Sequence, residues 1–381
     1  MKIHAIRTYV VPASWKEWVF VLLETDDGLV GVGEGTLENR TAAVAGAIDE
    51  CAEYLLGRSP IGIEAIWNEL YRAFFWRGGS VQMTALAAID QALWDIAGKA
   101  ANLPVHRLLG GAGQDKVRTY LNQWYRGAKS ADKLADMARE ALDKGASALK
   151  WYPFRQIPMN SPPYTVTPQD IRQAVREVEL LRDALGPDVT LMVDLAGKLT
   201  CAGAIEFCQA ATPYDLLFIE EPLPPEDPSS LHRLANATSA RIATGERLYS
   251  RWDFREIIEQ RSVSYVQPAL THAGGITEFR KIAAYADTHG IGLIPHNPLS
   301  PVATAANIQT VCTLNNFVLL ETYAADVPPL RDEIMVDGPR LTGDFYQLPD
   351  RPGLGVELDE PLLRRICTST LGHRSTRAAM A

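Results

Sequence analysis

Leu191-Met-Val-Asp194, Phe218-Ile-Glu220 and Ala243-Thr-Gly-Glu246 are three strand-like runs, each closing on an acid, and the acids stand at equal intervals of 26 residues. That interval is about one strand-plus-helix unit, so the carboxylates fall at the C-terminal tips of successive parallel strands. In a (β/α)8 barrel those tips converge on one mouth, where barrel enzymes do their chemistry. A single acid at a strand end is as easily a helix N-cap or a solvated loop charge; three in register are not. Three converging carboxylates cannot all stay ionised without a cation, and an all-oxygen set suits a hard ion, Mg²⁺ before zinc. Glu221, beside Glu220, points to the other side of its strand and is not expected to reach the same ion.

Outward from these runs, strand and helix alternate from about residue 116 onward. Candidate strands cover 116–122, 147–152, 190–195, 216–220, 242–245, 263–268, 291–296 and 316–321. This rhythm fits a TIM-type barrel better than a doubly wound sheet. Gly31-Val-Gly-Glu-Gly35 lacks the G-x-G-x-x-G spacing and continues a strand instead of opening a helix. A P-loop, H-E-x-x-H and G-x-S-x-G are also missing, which removes support for phosphate cradling, zinc proteolysis and serine hydrolysis. The first segment is different. Residues 2–11 and 18–24 alternate as strands, Asp26-Asp-Gly28 signals a hairpin turn, and helical periodicity follows at 41–56, 63–75 and 81–100. The expected architecture is α/β: an N-terminal α+β capping domain (1–115), a (β/α)8 barrel with the metal site (116–340), and a C-terminal segment (341–381) packing back on the cap. The last dozen residues read as a frayed tail.

Composition excludes several partners. The net charge is −9 with no run of Lys or Arg, which argues against nucleic acid and anionic membrane. A small anionic substrate stays open, because a bound metal outweighs the global sign locally. The five cysteines are scattered, with no C-x-x-C, as expected for buried thiols in a reducing compartment. The N-terminus starts a strand without a signal-peptide core, and no run approaches the roughly 20 apolar residues of a membrane span. A cytoplasmic enzyme is the expectation. Asn236-Ala-Thr238 matches a glycosylation sequon by chance in that setting.

Other strand tips carry chemistry as well. Ala148-Leu-Lys150-Trp-Tyr152 puts Lys150 and Tyr152 on one face by the period of two. Another run ends Leu293-Ile-Pro-His296 and the last ends Leu319-Leu-Glu321. A lone histidine is usually structural; one facing a triad of acids at a barrel mouth is a candidate proton carrier. Lys150 has a plainer alternative as a salt-bridge partner of the acids, and Tyr152 as a packing residue.

Longer motifs add a resemblance. Phe75-Trp-Arg-Gly-Gly79, Ile89-Asp-Gln-Ala-Leu-Trp-Asp95, Phe218-Ile-Glu-Glu-Pro222, the Gly245-to-Phe254 run, His272-Ala-Gly-Gly-Ile-Thr277, Pro295-His-Asn-Pro298 and Pro352-Gly-Leu-Gly-Val356 run almost end to end. In them the chain resembles the enolase superfamily of the mandelate racemase type, and within it the acid-sugar dehydratases like galactonate dehydratase. The resemblance implies that Asp194, Glu220 and Glu246 ligate Mg²⁺ and that His296 is a general acid/base. It implies that Glu321 helps hold the substrate carboxylate and enolate, that Lys150 adds positive charge at the same oxygens, and that Arg77 could reach the sugar chain. It also implies a small-molecule sugar acid as substrate and a homo-oligomer built from dimers.

The departures from that pattern are specific. Dehydratase relatives carry a histidine two residues after the first metal ligand, as the acid for the leaving hydroxyl; here that position is Ala196. They pair the histidine of strand 7 with an aspartate at the end of strand 6; here that position is Ala269. The second lysine of the racemase K-x-K is Tyr152. His296 could then abstract the α-proton and also protonate the leaving group in a syn elimination, or Tyr152 or Lys150 could act on the other face. Three functions stay open: β-elimination of water from a sugar acid, epimerisation or cycloisomerisation of a lactone or anhydro-sugar acid through the same enediolate, and a catalytically degenerate binding member.

Overall fold

The computed structural model describes residues 1–13, 15–324 and 330–374. It opens with an antiparallel meander of β1 (Ile3–Ala13), β2 (Lys16–Thr25) and β3 (Val30–Glu34), with Val10 opposite Val19 and Leu22 opposite Val32. The turn between β2 and β3 sits at Asp26–Gly28, as the sequence signals. A C-terminal strand, Ser369–Arg374, adds antiparallel to the free edge of β1. This corrects the expectation of a frayed last dozen: an open strand edge offers a row of unpaired N–H and C=O groups, and the chain end takes them. The rest of that tail lies outside the described residues.

Four helices follow: α1 (Thr41–Glu50), α2 (Ala52–Leu55), α3 (Ile63–Ala73) and α4 (Ser80–Ala101). The apolar face of α4 (Ala85, Ala88, Leu93, Ile96) is buried. It lies on β3 so closely that a Cβ on Gly33 would stand 1.9 Å from the Ala88 carbonyl oxygen, and one on Gly31 2.2 Å from that of Ala92. The glycines of Gly31-Val-Gly-Glu-Gly35 are therefore a helix-packing seam.

After the short α5 (Val105–Leu108) the chain alternates through β4 (Lys116–Asn122), α6 (Ala131–Asp143), β5 (Ala148–Trp151), α7 (Pro168–Leu185), β6 (Thr190–Asp194), α8 (Cys201–Ala211), β7 (Ile219–Glu220), α9 (Pro228–Ala237), β8 (Ile242–Thr244), α10 (Arg251–Glu259), β9 (Tyr265–Val266), α11 (Gly275–Asp287), β10 (Gly292–Leu293), α12 (Pro301–Val311) and β11 (Leu320–Tyr323). Neighbours from β4 to β10 pair parallel in order, β11 pairs with β4, and a bridge between Leu293 and Phe317 closes the ring. Several ladders are shorter than the extended runs seen in sequence, since the tips leave the ladder on single bonds such as Ile294 N–H to Val266 O, 3.0 Å. The eighth strand is shifted from 316–321 to 320–323 by its pairing with Thr119–Asn122. Among the described residues it is followed by one turn, Leu330–Glu333, in place of a full eighth helix.

Buried polar bonds fasten the cap to the barrel. Trp67 Nε1 donates to Gly274 O (2.7 Å), and Trp94 Nε1 donates to Thr277 Oγ1 (3.0 Å). Glu34 accepts the N–H groups of Ser300 (3.1 Å) and Ala303 (2.9 Å) at the start of α12, where a negative charge suits the helix dipole. Asp90 accepts the N–H of Thr277 (3.0 Å) near the start of α11. Burial, against the help of Thr277, pushes the Asp90 carboxyl up to about 7. The folded protein thus keeps this proton to higher pH than the unfolded chain does. The group's contribution is full below the unfolded pKa of about 3.9 and is lost as pH rises toward neutrality. Asp90→Asn is expected to reduce the fall in melting temperature between about pH 5 and pH 8. An equal fall in wild type and variant, read by thermal unfolding, would rule Asp90 out as its source.

Candidate active site

The barrel axis is filled by Tyr120, Ala148, Met192, Phe218, Ala243, Ile294 and Leu319. Because side chains on a strand alternate faces, the residue two positions further on points the same way, one layer nearer the mouth. That step leads to Asn122, Lys150, Asp194, Glu220, His296 and Glu321. The one exception is instructive. Two residues past Ala243 comes Gly245, with φ +136°, where a Cβ would meet the Phe254 ring at 2.6 Å. The turn it makes passes the role to Glu246.

The register places Asp194 opposite Glu220 on adjacent strands. Ligand atoms of Glu220, Glu246 and His296 all lie within 4.8 Å of one another. Lys150 Nζ stands 2.6 Å from both carboxylate oxygens of Glu220 and 3.1 Å from Glu321 Oε1. His296 Nδ1 lies 3.0 Å from Glu246 Oε2 and 3.1 Å from Glu321 Oε2. Burial pushes Glu220 well above the carboxylate range against the pull of Lys150, and Asp194 up to about 6 for the same reason, with Glu246 adding repulsion to both. Glu246 is also disfavoured by burial, but the His296 charge outweighs this and holds it down to about 2. His296 itself is raised well above its usual range: burial opposes its charge, and Glu246 and Glu321 overcome the opposition. Two acids reluctant to ionise beside one lysine and one histidine mark a site short of positive charge. An oxygen-rich set of this kind fits a hard divalent cation.

Glu221 is engaged on the outer side. It accepts the Thr244 hydroxyl, the Gly245 N–H at 3.1 Å and Arg247 Nε at 3.0 Å. Tyr152 is buried, and its hydroxyl donates to Ile157 O at 3.0 Å, so its proton is committed away from the acids. Arg77 stands exposed on the loop between α3 and α4, its charge felt at Tyr71, whose ring stacks between Trp67 and Trp252. Ala196 has a left-handed backbone (φ 48°) and gives its N–H to Asp194 Oδ1 at 2.8 Å. Ala269 is fully buried.

Three supporting groups escape a search for charged tips. Gln267 Nε2 donates to Glu220 Oε2 (2.7 Å), Asn122 Nδ2 donates to Glu321 Oε1 (2.8 Å), and the Asn297 N–H donates to Glu321 Oε2 (2.9 Å). Gln267 and Asn122 both stand at strand tips, so the signal was there. Their lack of charge hid it.

Comparison with known proteins agrees with this geometry. Residues 2–110 match the family model for the mandelate racemase/muconate lactonizing enzyme N-terminal domain, and 133–362 the enolase C-terminal domain-like model. A D-galactonate dehydratase of Variovorax paradoxus is 39% identical over 365 residues, 94% of this chain and 93% of that protein. An enolase-superfamily structure from Salmonella Typhimurium superposes with a TM-score of 0.92 at 28% identity, covering 98% of this chain and all of the other. An enolase from Pantoea ananatis with bound D-gluconate and Mg superposes with a TM-score of 0.88 at 29% identity, covering 96% and 94%.

Proposed function

Since the chain belongs to the mandelate racemase/muconate lactonizing enzyme family of the enolase superfamily, we propose that it dehydrates a sugar acid. It removes the proton α to the carboxylate and the hydroxyl β to it, leaving a 2-keto-3-deoxy acid. The observation that carries this reading is His296 and Lys150 flanking one cluster of acids at the barrel mouth. The dehydratase relative and the gluconate- and Mg-bound neighbour support the same substrate class.

Asp194, Glu220 and Glu246 would hold one Mg²⁺. When bound, it would supply positive charge where the substrate carboxylate takes up the electron pair left by the broken α C–H bond. An α-proton of a carboxylate is very weakly acidic, so that stabilisation must be in place before the proton moves. Lys150, fixed between Glu220 and Glu321, adds a charge that needs no reorganisation. His296 takes the α-proton. Glu321, anchored by Asn122 and Asn297, lies 3.1 Å from His296 Nδ1 and favours the charged imidazole that forms when the proton is taken.

A second reading, isomerisation through the same enediolate, is favoured by the methyl side chain at Ala196, which cannot protonate a leaving group. A sugar-acid screen read for keto-acid release, with solvent-deuterium exchange at C2 in parallel, separates the readings. Keto-acid release is the expected result. Exchange without release would identify an isomerase, and neither from any sugar acid would identify a degenerate binding member.

The enzyme acts in the cytoplasm as a homo-oligomer built from dimers. Five free cysteines support the first statement. The exposed aromatic pair Phe75 and Trp76 on a cap loop, 85% and 83% accessible, supports the second. No helix among the described residues is long and apolar enough to cross a membrane. Sedimentation showing only monomer at micromolar concentration would sink the assembly.

A further inference from the structure

The loop after β4 carries a group that the scheme above does not use. Gln123 adopts a left-handed backbone (φ 61°), uncommon for a residue with a side chain and a form of strain found at functional sites. Its amide is oriented unambiguously. Arg126 Nε donates to Gln123 Oε1 at 2.8 Å, which leaves Gln123 Nε2 to donate to the Tyr125 phenolic oxygen at 3.0 Å. The Tyr152 backbone N–H acts on that same oxygen, and Asp194 and Lys150 are among the charges that the phenol feels. Tyr125 is buried. Its oxygen is thus occupied as an acceptor by groups that follow β4 and β5, and its own proton has no acceptor among the described protein groups. Tyr152 has the opposite arrangement, with its proton given to Ile157.

We infer that Tyr125 is the proton donor to the departing hydroxyl, the role that Ala196 cannot fill. The inference rests on the dehydratase reading. Tyr125 works from the loop after β4, where the phenol feels Asp194 and Lys150, whereas His296 lies against Glu246 and Glu321. His296 takes the C2 proton. As the C3–O bond breaks, its electron pair leaves with oxygen, which takes the phenolic proton and departs as water. The enol then ketonises: His296 returns its proton to C3, and the proton of the enol hydroxyl restores the phenol by way of solvent. The relay from the Arg126 cation through the Gln123 amide to the phenolic oxygen stabilises the transient phenolate.

The test is Tyr125→Phe, which keeps the ring and removes one proton. It is assayed against wild type with one turned-over sugar acid and with its 3-deoxy-3-fluoro analogue, whose fluoride leaves without protonation. Expected are C2 deuterium exchange within a few-fold of wild type, keto-acid release reduced by about 10²-fold or more, and fluoride release restored to near the wild-type rate. Gln123→Met, which removes the relay and leaves the phenol, should lower water elimination by less and spare fluoride release. Tyr125→Phe that eliminates water at the wild-type rate would overturn the inference while leaving the dehydratase reading intact. So would equal losses of exchange, water release and fluoride release, which mark a packing role. Wild type that exchanges without releasing water from any sugar acid would overturn both.

Discussion

Glu220→Gln is expected to abolish turnover, lowering kcat by more than about 10³-fold, and to leave the barrel folded. Glu220 sits at the centre of the acidic cluster, opposite Asp194 in register, 2.6 Å from Lys150 and 2.7 Å from Gln267. The substitution keeps its shape and removes the charge that a divalent ion needs. Losing a preorganised electrostatic contact of the transition state costs about 10²- to 10³-fold for one hydrogen-bond donor, and a metal site contributes several such contacts. The Ala variants of Asp194, Glu220 and Glu246 should behave alike. The barrel should stay folded, because the apolar core lies beneath the mouth, but at some cost in stability, because buried Lys150 keeps only Glu321 as a carboxylate partner. Calorimetric titration of Mg²⁺ should show binding to wild type and a loss of at least an order of magnitude in affinity for each variant. Full activity of all three Ala variants after EDTA treatment would end the assignment.

Much of this site can be read from the chain because a strand repeats every two residues. Once the interior residues Met192 and Phe218 are recognised as barrel lining, Asp194 and Glu220 must share the mouth, and the same step finds Lys150, His296 and Glu321. The rule fails where the backbone leaves the strand. Gly245 displaces the third acid by one position, and the equal spacing of 26 hides this because the extra residue lies past the strand end. Tyr152 looks available by parity, yet the chain turns after Trp151 and its hydroxyl finds Ile157. Tyr125 is invisible to parity altogether, since the left-handed turn at Gln123 decides where it points. The strand between Ser369 and Arg374 was illegible for another reason. Its partner, β1, lies more than three hundred residues away, and no local pattern distinguishes a strand that pairs from a tail that does not.

His296→Asn should cost about 10²- to 10⁴-fold in both keto-acid release and C2 exchange, the range typical of a lost general acid or base. The loss of both readouts separates this variant from Tyr125→Phe, which should keep exchange. His296 has no aspartate from the β9 end of the barrel, where Ala269 stands; its carboxylate neighbours are Glu246 and Glu321. Those two raise its pKa, and a base must be neutral to act, so the rate should fall on the acid side as His296 takes up its proton. Ala269→Asp adds one more carboxylate and should raise the imidazole pKa further, moving that acid limb to higher pH. Ala269 is fully buried, so the new aspartate should also lower the melting temperature unless it pairs with the imidazole. A shifted limb with an unchanged melting temperature would mean that the pair has formed. If His296→Asn keeps near-normal turnover and exchange, the α-proton leaves instead toward the Lys150 face, and the barrel runs its chemistry from the opposite side.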